Sequence, residues 1–226
     1  MFNLTIPIVA AGTYAWATYH RNSPLFGAVR GRLRSTERVV ALTFDDGPNP
    51  DATDLVLRAL ADARIPATFF LLGRHVERWP EVARAVVDGG HTIGNHGHTH
   101  RKLSWAGPAL VHAELSGGTA AIARATGATP TLFRAPHGFR SPFVAREAAR
   151  LGQTLVGWSL GVWDSDTPGE REIARRVVAG VRPGSIALLH DGDGYDPTGN
   201  RLQTARALPE IIDRLGSNGY QFVAVS

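Results

Sequence analysis

The 226-residue sequence contains no cysteine, so it forms no disulfide bond, and cysteine usage does not indicate a redox compartment. It also has no dense run of Lys or Arg and no alternation of basic with aromatic residues. Its 24 basic and 20 acidic side chains are spread along the chain and leave a formal net charge of +4. We therefore expect no nucleic-acid partner, whereas a mildly basic surface is compatible with an anionic cell envelope or polymer.

Long hydrophobic runs are missing too, including at the N-terminus. Residues 2–19 are apolar on average, but Pro7 and Gly12 interrupt them, and no Lys or Arg follows Met1. These features fit neither a convincing signal peptide nor a transmembrane span. We expect a helix packed on the rest of the protein, with association of this segment with a membrane as the less favoured alternative.

The chain length and a hydrophobic content of 43% fit one α/β domain. We divide the chain into an N-terminal apolar segment and lead-in, residues 1–37, and a single domain, residues 38–226. Within that domain, strand-like apolar segments alternate with amphipathic helical segments, which predicts parallel β/α winding. A first strand is predicted to open at Val39, and further strands cover 67–72, 91–94, 132–134, 154–158, 185–189 and 221–225. Predicted helices cover 51–64, 76–88, 108–125, 141–152, 170–180 and 204–216.

Two adjacent carboxylates end the first predicted strand. Asp45 and Asp46 follow a buried apolar run, and Gly47 and Pro48 then break the strand. The carboxyl end of a buried strand is where α/β folds place active sites. Two like charges so close to a core need a cation or hydrogen-bond donors. A surface turn is the alternative for this segment taken alone.

A second cluster contains three histidines in five residues: His96, His98 and His100. If the segment is helical, His96 and His100 share one face, as in paired-histidine metal sites. If it is a strand, all three line one face. A histidine-rich surface loop is the alternative. Together with the upstream carboxylates, the cluster favours a site built from Asp and two His, which suits a divalent ion such as zinc.

Five ordered motifs resemble those of the polysaccharide deacetylases of carbohydrate esterase family 4, the NodB-homology domain. Residues 43–48 read Thr-Phe-Asp-Asp-Gly-Pro, and residues 96–100 place one His four positions before another. Residues 133–138, 158–164 and 186–191 are similar to the third, fourth and fifth motifs. The resemblance implies an irregular (β/α) barrel with about seven parallel strands, with every motif directly after a predicted strand.

The resemblance also implies roles for individual residues. It assigns Asp46, His96 and His100 to the metal, and Asp45 to the general base. His190 would be the general acid, held by Asp164, and Arg134 would anchor the catalytic Asp. The backbone N–H of His137 would stabilise the oxyanion. Substrate-binding residues would be Pro136, His137, Gly138, Trp163 and Leu188.

The fourth motif departs from the family pattern. Asp and Trp are expected at positions that are Gly161 and Ser165 here, and because the family Trp contacts the acetyl group, acyl selectivity is the property most affected. We expect His98 to be an exposed loop residue. The acidic stretch from Asp191 to Asp196 lacks the final Glu of a calcium loop, so we interpret it as a flexible loop bordering the groove.

The resulting functional prediction is a metal-dependent hydrolase that removes N-acetyl groups from N-acetylglucosamine units of a chitin- or peptidoglycan-like oligo- or polysaccharide. An O-acetyl esterase or a small-molecule amidase on the same fold is the alternative. A non-catalytic carbohydrate-binding protein ranks below these. One divalent ion is expected, with zinc favoured over cobalt, nickel or manganese. We expect a monomer, and family analogy indicates the cell envelope or a secreted protein.

Overall fold

A computed structural model describes residues 5–199 and 201–226. The first helix, α1, covers Thr5–Tyr19. Residues 2–4 of the expected N-terminal helix lie outside the described residues. None of the helices in the described ranges is long and apolar enough to cross a membrane. The division of the chain at residues 37 and 38 stays a prediction.

The strands form one parallel sheet that curls into an irregular half-barrel. In sheet order they run β5-β4-β3-β2-β1-β7-β6, and β8 pairs with the first residues of β1. This architecture confirms the predicted barrel of about seven parallel strands. The bounds are β1 Val39–Asp45, β2 Thr68–Leu71, β3 Thr92–Asn95, β4 Leu132–Phe133, β5 Thr154–Leu155, β6 Leu160–Gly161, β7 Ser185–His190 and β8 Gln221–Phe222.

Helices cover the outside of this sheet. Four of them begin with proline, whose fixed φ suits the first helical turn and whose missing N–H has no partner there anyway. The bounds are α2 Pro50–Ala63, α3 Gly73–Arg78, α4 Pro80–Asp88, α5 Pro108–Thr126, α6 Pro142–Arg150, α7 Glu170–Gly180 and α8 Leu202–Ser217.

Two predicted helices differ from the structure in instructive ways. The segment predicted as one helix over 76–88 is two helices, because Trp79 precedes a proline and leaves the helical region (φ −132°, ψ 64°). The helix predicted over 51–64 begins one residue earlier, at Pro50, because Asn49 caps it with a side chain that accepts from the backbone N–H groups of Asp51 and Ala52.

The predicted strand over 154–158 is also shorter in the structure. Only Thr154–Leu155 forms β5, and a second short strand, β6, follows at the other end of the sheet. The chain therefore crosses the open side of the half-barrel between these two strands.

Strand β1 lies in the interior of the sheet, between β2 and β7, and every one of its residues is buried. Phe44 stacks on Phe69 of the neighbouring strand with ring centroids 5.0 Å apart. Each fully buried Leu or Phe stabilises the fold by roughly 1.5–3 kcal/mol. This packing fixes the carboxyl ends of β1, β3, β4 and β7 at one face of the half-barrel, where the predicted site residues lie.

Helix α1 packs on the domain through its C-terminal half. Ala17 and Thr18 are fully buried, and the Thr18 carbonyl accepts a hydrogen bond from the backbone N–H of Arg140. Tyr14 stacks on Trp105 with centroids 5.3 Å apart. The end of α1 is therefore held beside the same face of the half-barrel.

Candidate active site

The carboxylate pair lies at the carboxyl end of β1. Asp45 and Asp46 are only 3% and 5% exposed, respectively. Asp46 has φ +72°, a left-handed conformation that costs a non-glycine residue free energy. Asp45 is paired with Arg134 and Asp46 lies between two histidines, although His96 Nε2 is also 3.7 Å from Asp45 Oδ2.

Arg134, at the end of β4, is the partner of Asp45. Its Nη1 donates to Asp45 Oδ1 at 2.6 Å and to Thr43 Oγ1 at 2.8 Å, and its Nη2 donates to the Gly157 carbonyl at 2.9 Å. The guanidinium also lies over the Phe70 ring, 4.0 Å from the centroid. Because Arg134 is fully buried, it balances the Asp45 charge where water cannot, and it holds the carboxylate in one orientation.

Asp46 faces two imidazoles. Its Oδ1 lies 3.4 Å from His96 Nε2 and 3.2 Å from His100 Nε2. One ligand atom from each of these three buried side chains lies within 4.8 Å of the others. His96 Nδ1 donates to the Arg134 carbonyl at 2.8 Å. Since a carbonyl only accepts, this bond leaves the Nε2 lone pair of neutral His96 aimed at the site.

The backbone of the histidine segment is neither a helix nor a strand. Residues 96–100 form a loop after β3, with Gly97 at φ +87° and His100 at φ +61°. These two turns bring His96 and His100 together, so the helical geometry offered for the pair is wrong although the pairing itself is present. His98 is partly exposed and lies 3.8 Å from Glu77, away from Asp46.

The charges around Asp46 fit a cation. Its Oδ1 is buried and has no hydrogen-bond donor among the described residues, although two imidazole nitrogens flank it. Burial by itself would raise the pKa of Asp46, but the neighbouring imidazoles of His96 and His100 hold that pKa well below its usual range. Burial lowers the pKa of His100 to about 3. Ionised Asp46 and neutral His100 are already in the protonation states that metal ligation requires, whereas His96, whose pKa is raised by Asp45 and Asp46 in spite of burial, would release a proton on binding an ion.

The histidine loop is held by Glu114, which the sequence reasoning missed. This buried carboxylate on α5 accepts from the backbone N–H groups of His98 and Thr99 at 3.0 and 2.8 Å, and from the Thr99 hydroxyl. The sequence does contain a sign of this role: Glu114 stands beside Val111 and Leu115 on the apolar face of the helix, where an ionisable side chain needs a specific partner.

His75 is a second residue that the sequence reasoning missed. It is buried on α3, and its Nδ1 donates to the Asp46 carbonyl at 2.8 Å. Burial lowers its pKa, so the neutral form with the proton on Nδ1 fits the contact. This bond supports the left-handed backbone conformation of Asp46.

His190 and Asp164 meet at the end of β7, as predicted. His190 Nδ1 and Asp164 Oδ1 are 2.9 Å apart, and Asp164 Oδ2 accepts from the His190 backbone N–H at 2.8 Å and from Thr204 Oγ1 at 2.9 Å. Burial alone would lower the pKa of His190, but the charge of Asp164 and its hydrogen bond raise it to about 9. His190 is therefore an imidazolium near neutral pH.

The acidic stretch after His190 does not converge on one point. Asp191 is fully buried and accepts from Thr53 Oγ1 at 2.6 Å, and burial raises its pKa to about 7. Asp193 instead pairs with Arg201 at 2.7 Å, and Asp196 accepts from the hydroxyl and backbone N–H of a nearby threonine. Each carboxylate thus has its own partner, in agreement with the rejection of a calcium loop.

One cavity of about 540 Å³ connects these groups. Of the five expected substrate-binding residues, His137, Trp163 and Leu188 line it. Pro136 and Gly138 are buried and form the turn that presents His137. The sequence reasoning did not assign several other lining residues, among them Tyr19, His20, Arg21, Phe139 and Trp158.

The unusual fourth motif also borders the cavity. Gly161 and Ser165 both line it, and Trp163 is 71% exposed at its edge. A Cβ atom at Gly161 would lie 3.1 Å from Trp158 Nε1, so the Trp158 indole already crowds the space that a larger residue at 161 would need.

Comparison with known proteins identifies what the chain is similar to. Residues 32–156 match the sequence model of a family described as Polysaccharide deacetylase. The chain is 42% identical over 209 residues to a chitooligosaccharide deacetylase of Bradyrhizobium sp. (strain ANU 289), which covers 88% of this chain and 94% of that protein.

Two solved structures extend the comparison to the fold. A peptidoglycan N-acetylglucosamine deacetylase, Bc1960, in complex with a hydroxamate-type benzamide has a TM-score of 0.81 at 28% identity, covering 87% of this chain and 90% of that one. The wild-type BA3943 protein of Bacillus anthracis, described as a CE4 family pseudoenzyme, has a TM-score of 0.78 at 26% identity, covering 86% and 66%. Similarity at this level thus includes a protein described as a pseudoenzyme, so activity in this family depends on which residues occupy the site.

Proposed function

The chain belongs to the polysaccharide deacetylase family, and on this premise we propose that it is a metal-dependent hydrolase that removes N-acetyl groups from N-acetylglucosamine units of an oligo- or polysaccharide. The similar proteins are named for chitooligosaccharide and for peptidoglycan. One observation carries the proposal: a buried Asp-His-His group, a carboxylate held by arginine and an imidazolium held by aspartate all face one cavity.

We assign Asp46, His96 and His100 as the residues that hold one divalent ion, with zinc favoured. One carboxylate and two imidazoles form a donor set that suits zinc and leaves positions open for substrate. When bound, the ion would supply Lewis acidity to the acetyl carbonyl and to the attacking water. The orphaned Asp46 oxygen between two imidazole nitrogens supports this assignment.

Asp45 is the proposed general base. It is the neighbour of a metal-site carboxylate, but its Oδ1 is engaged by Arg134, and its Oδ2 lies 3.7 Å from His96 Nε2. A carboxylate fixed in this way can accept a proton from water without first reorienting. Arg134 is a positioning residue, since it acts by holding Asp45 in place.

His190 is the proposed general acid. Its Nδ1 is engaged by Asp164, which leaves Nε2 as the nitrogen that can give a proton to the departing amine. An amide needs such a donor because an amine anion is a very poor leaving group. We propose that the backbone N–H of His137 stabilises the developing oxyanion, while Trp163 and Leu188 contact the substrate.

Acetate release tests the proposal directly. Purified protein loaded with zinc is incubated with N-acetylated chitooligosaccharides, peptidoglycan and acetylxylan, with and without a chelator. We expect release from the first or second substrate, loss with chelator and recovery on adding zinc back. Release from acetylxylan alone would favour the O-acetyl esterase alternative. Size-exclusion chromatography of the same sample tests the expected monomer.

A further inference from the structure

A row of aromatic rings extends from the cavity over the end of α1. It consists of Trp105, Tyr19, Phe139 and His137, which we call the aromatic ledge. Trp105 is 67% exposed and Tyr19 is 46% exposed. Large aromatic surfaces are costly to leave in water, and contiguous ones on a soluble domain commonly mark binding sites. The ledge lies outside the residues assigned above to catalysis and to the metal, except for His137 at its inner end.

The outer half of the ledge is held in a fixed arrangement. The Trp105 indole stacks on Tyr14 at a centroid distance of 5.3 Å, and its Nε1–H donates to the Tyr19 hydroxyl at 2.9 Å. The Tyr19 ring meets Phe139 edge-on, with centroids 5.0 Å apart. Rings that are already ordered lose little conformational entropy when a ligand packs on them.

The inner half of the ledge continues directly into the site. Phe139 lies 5.6 Å from His137, and His137 lies 4.8 Å from His100. Tyr19 and Phe139 line the same cavity as Asp45 and His100. A ligand chain whose reacting unit sits at Asp46 therefore has an unbroken aromatic surface along which its next units can lie.

The chemistry of the ledge matches a sugar chain. A pyranose has a face of C–H groups, which packs on aromatic rings, and a rim of hydroxyl groups, which needs polar partners. His20 and Arg21, directly after α1, line the cavity beside Tyr19 and provide polar groups there. Arg21 Nε donates to the Trp158 carbonyl at 3.1 Å, which holds the guanidinium beside the cavity.

We propose that the aromatic ledge binds the sugar units adjoining the one that is deacetylated, so that the protein selects oligosaccharide chains over short substrates. This inference rests on the proposed function and extends it to substrate length. It makes α1 part of the substrate-binding surface, since Tyr19 comes from that helix.

The test is the dependence of kcat/KM on chain length, from the dimer to the pentamer of N-acetylglucosamine, for the wild type, Trp105→Ala and Tyr19→Phe. Phe143→Ala is the matched control, because Phe143 is a comparably exposed aromatic (44%) on α6. We expect Trp105→Ala to lower kcat/KM on the pentamer about tenfold, which is the size of one substantial interface contact. The loss should come mainly from KM and should shrink as the substrate shortens, whereas Phe143→Ala should match the wild type at every length.

Tyr19→Phe keeps the ring and removes the oxygen that accepts from Trp105, so we expect it to lose a smaller part of the length dependence. Equal loss at all lengths for Trp105→Ala would show a structural role and overturn the proposal, as would no loss at any length.

Calorimetric binding of the N-acetylated tetramer separates the ledge from the reaction. It is measured in the Asp45→Asn background, so that turnover does not consume the ligand. If the wild type releases no acetate from any substrate, the proposed function fails, yet weaker tetramer binding on adding Trp105→Ala still supports the ledge. Unchanged tetramer binding with that substitution overturns the ledge, whatever the activity assay gives.

Discussion

At the scale of single residues, the site depends on the different roles of two neighbouring aspartates. Asp45 and Asp46 are adjacent in sequence and both buried, yet Asp45 is hydrogen-bonded by arginine whereas Asp46 Oδ1 lies between two histidine nitrogens, one of which is also 3.7 Å from Asp45. The left-handed backbone at Asp46 accompanies this difference.

Substituting each aspartate in turn tests this division. We expect Asp45→Asn to retain metal binding within about threefold and to lose turnover by at least 10²-fold, because an amide of nearly the same size cannot accept the proton. Asp46→Asn should lose metal as well as turnover. Zinc titration calorimetry and acetate release on the same preparations check both points, and equal metal loss in the two variants would contradict the assignment.

The leaving group tests the role of His190. His190→Ala should slow N-deacetylation much more than hydrolysis of an activated aryl acetate, because a phenolate leaves without a proton. We expect the ratio of the two rates to change by about 10²-fold, in line with the usual contribution of a general acid. Equal losses on both substrates would indicate a structural role or a general role in binding the transition state.

The pH dependence tests the pairing of His190 with Asp164. A general acid acts in its protonated form, so activity should fall as the pH rises through the His190 pKa of about 9. Asp164→Asn removes the charge that raises this pKa, and the falling limb of kcat/KM should move toward the ordinary histidine value of about 6.5. A limb that stays in place in Asp164→Asn would exclude His190 as the titrating group.

The His190–Asp164 pair also makes the stability of the fold depend on pH. The pKa of Asp164 is held below its ordinary value by His190, despite burial, which acts in the opposite direction. The pair therefore stabilises the fold fully between about pH 4 and 6.5, and this contribution is lost as the pH rises through the raised His190 pKa.

At the scale of elements, part of the proposed metal site is the loop after β3, which hydrogen bonds to helix α5 hold in place. Residues 97–100 have no regular secondary structure, so their conformation depends on outside partners. Glu114 on α5 supplies three acceptor contacts to this loop, and Asn95 accepts from the Gly97 N–H at 2.8 Å. The helix thereby acts on metal affinity without touching the metal position.

Removing this support should loosen the ligands. We expect Glu114→Ala to weaken zinc affinity by about 10–100-fold, the usual effect of losing a group that orients metal ligands. Glu77→Ala is the matched control, because Glu77 approaches the same loop only through the His98 side chain at 3.8 Å, and its affinity should stay near wild type. Unchanged affinity in Glu114→Ala, with circular dichroism confirming the fold, would contradict the role.

Sequence alone predicted the parts of the site that lie next to strand ends. Asp45, Asp46 and the two histidines stand in short, unusual strings, and alternating patterns predicted parallel β/α winding, which the family resemblance narrowed to an irregular barrel. Glu114 and His75 were missed because each lies in an otherwise ordinary helix and matters only through a contact far away in sequence. Tyr19 was missed because its role depends on where α1 packs, which periodicity does not determine. The backbone of the histidine segment was left open between a helix, a strand and a loop, because spacing indicates which residues can pair but not the turns between them.

At the scale of the whole molecule, metal binding should stabilise the fold, because the ligands come from β1 and from the loop after β3. A ligand that binds only the folded state at 100 times its Kd adds about 2.7 kcal/mol, which corresponds to a rise in Tm of about 5–10 °C for a chain of this size. We expect zinc to give such a shift in the wild type and in His98→Ala, but not in His96→Ala. Differential scanning calorimetry with and without chelator measures it, and a full shift in His96→Ala would rule out this ligand set.

The long pairing of β1 with β7, in which Val40 aligns with Ser185 and Asp45 with His190, also shapes how the protein is made. A chain emerging from the ribosome exposes both aspartates and all three clustered histidines well before β7, the partner strand of β1, is synthesised. Distant pairings of this kind form slowly, because a long loop must close first. During that interval an unpaired strand edge and the metal-binding side chains are exposed at the same time. We therefore expect chaperone binding and the concentration of free zinc to affect the yield of native protein.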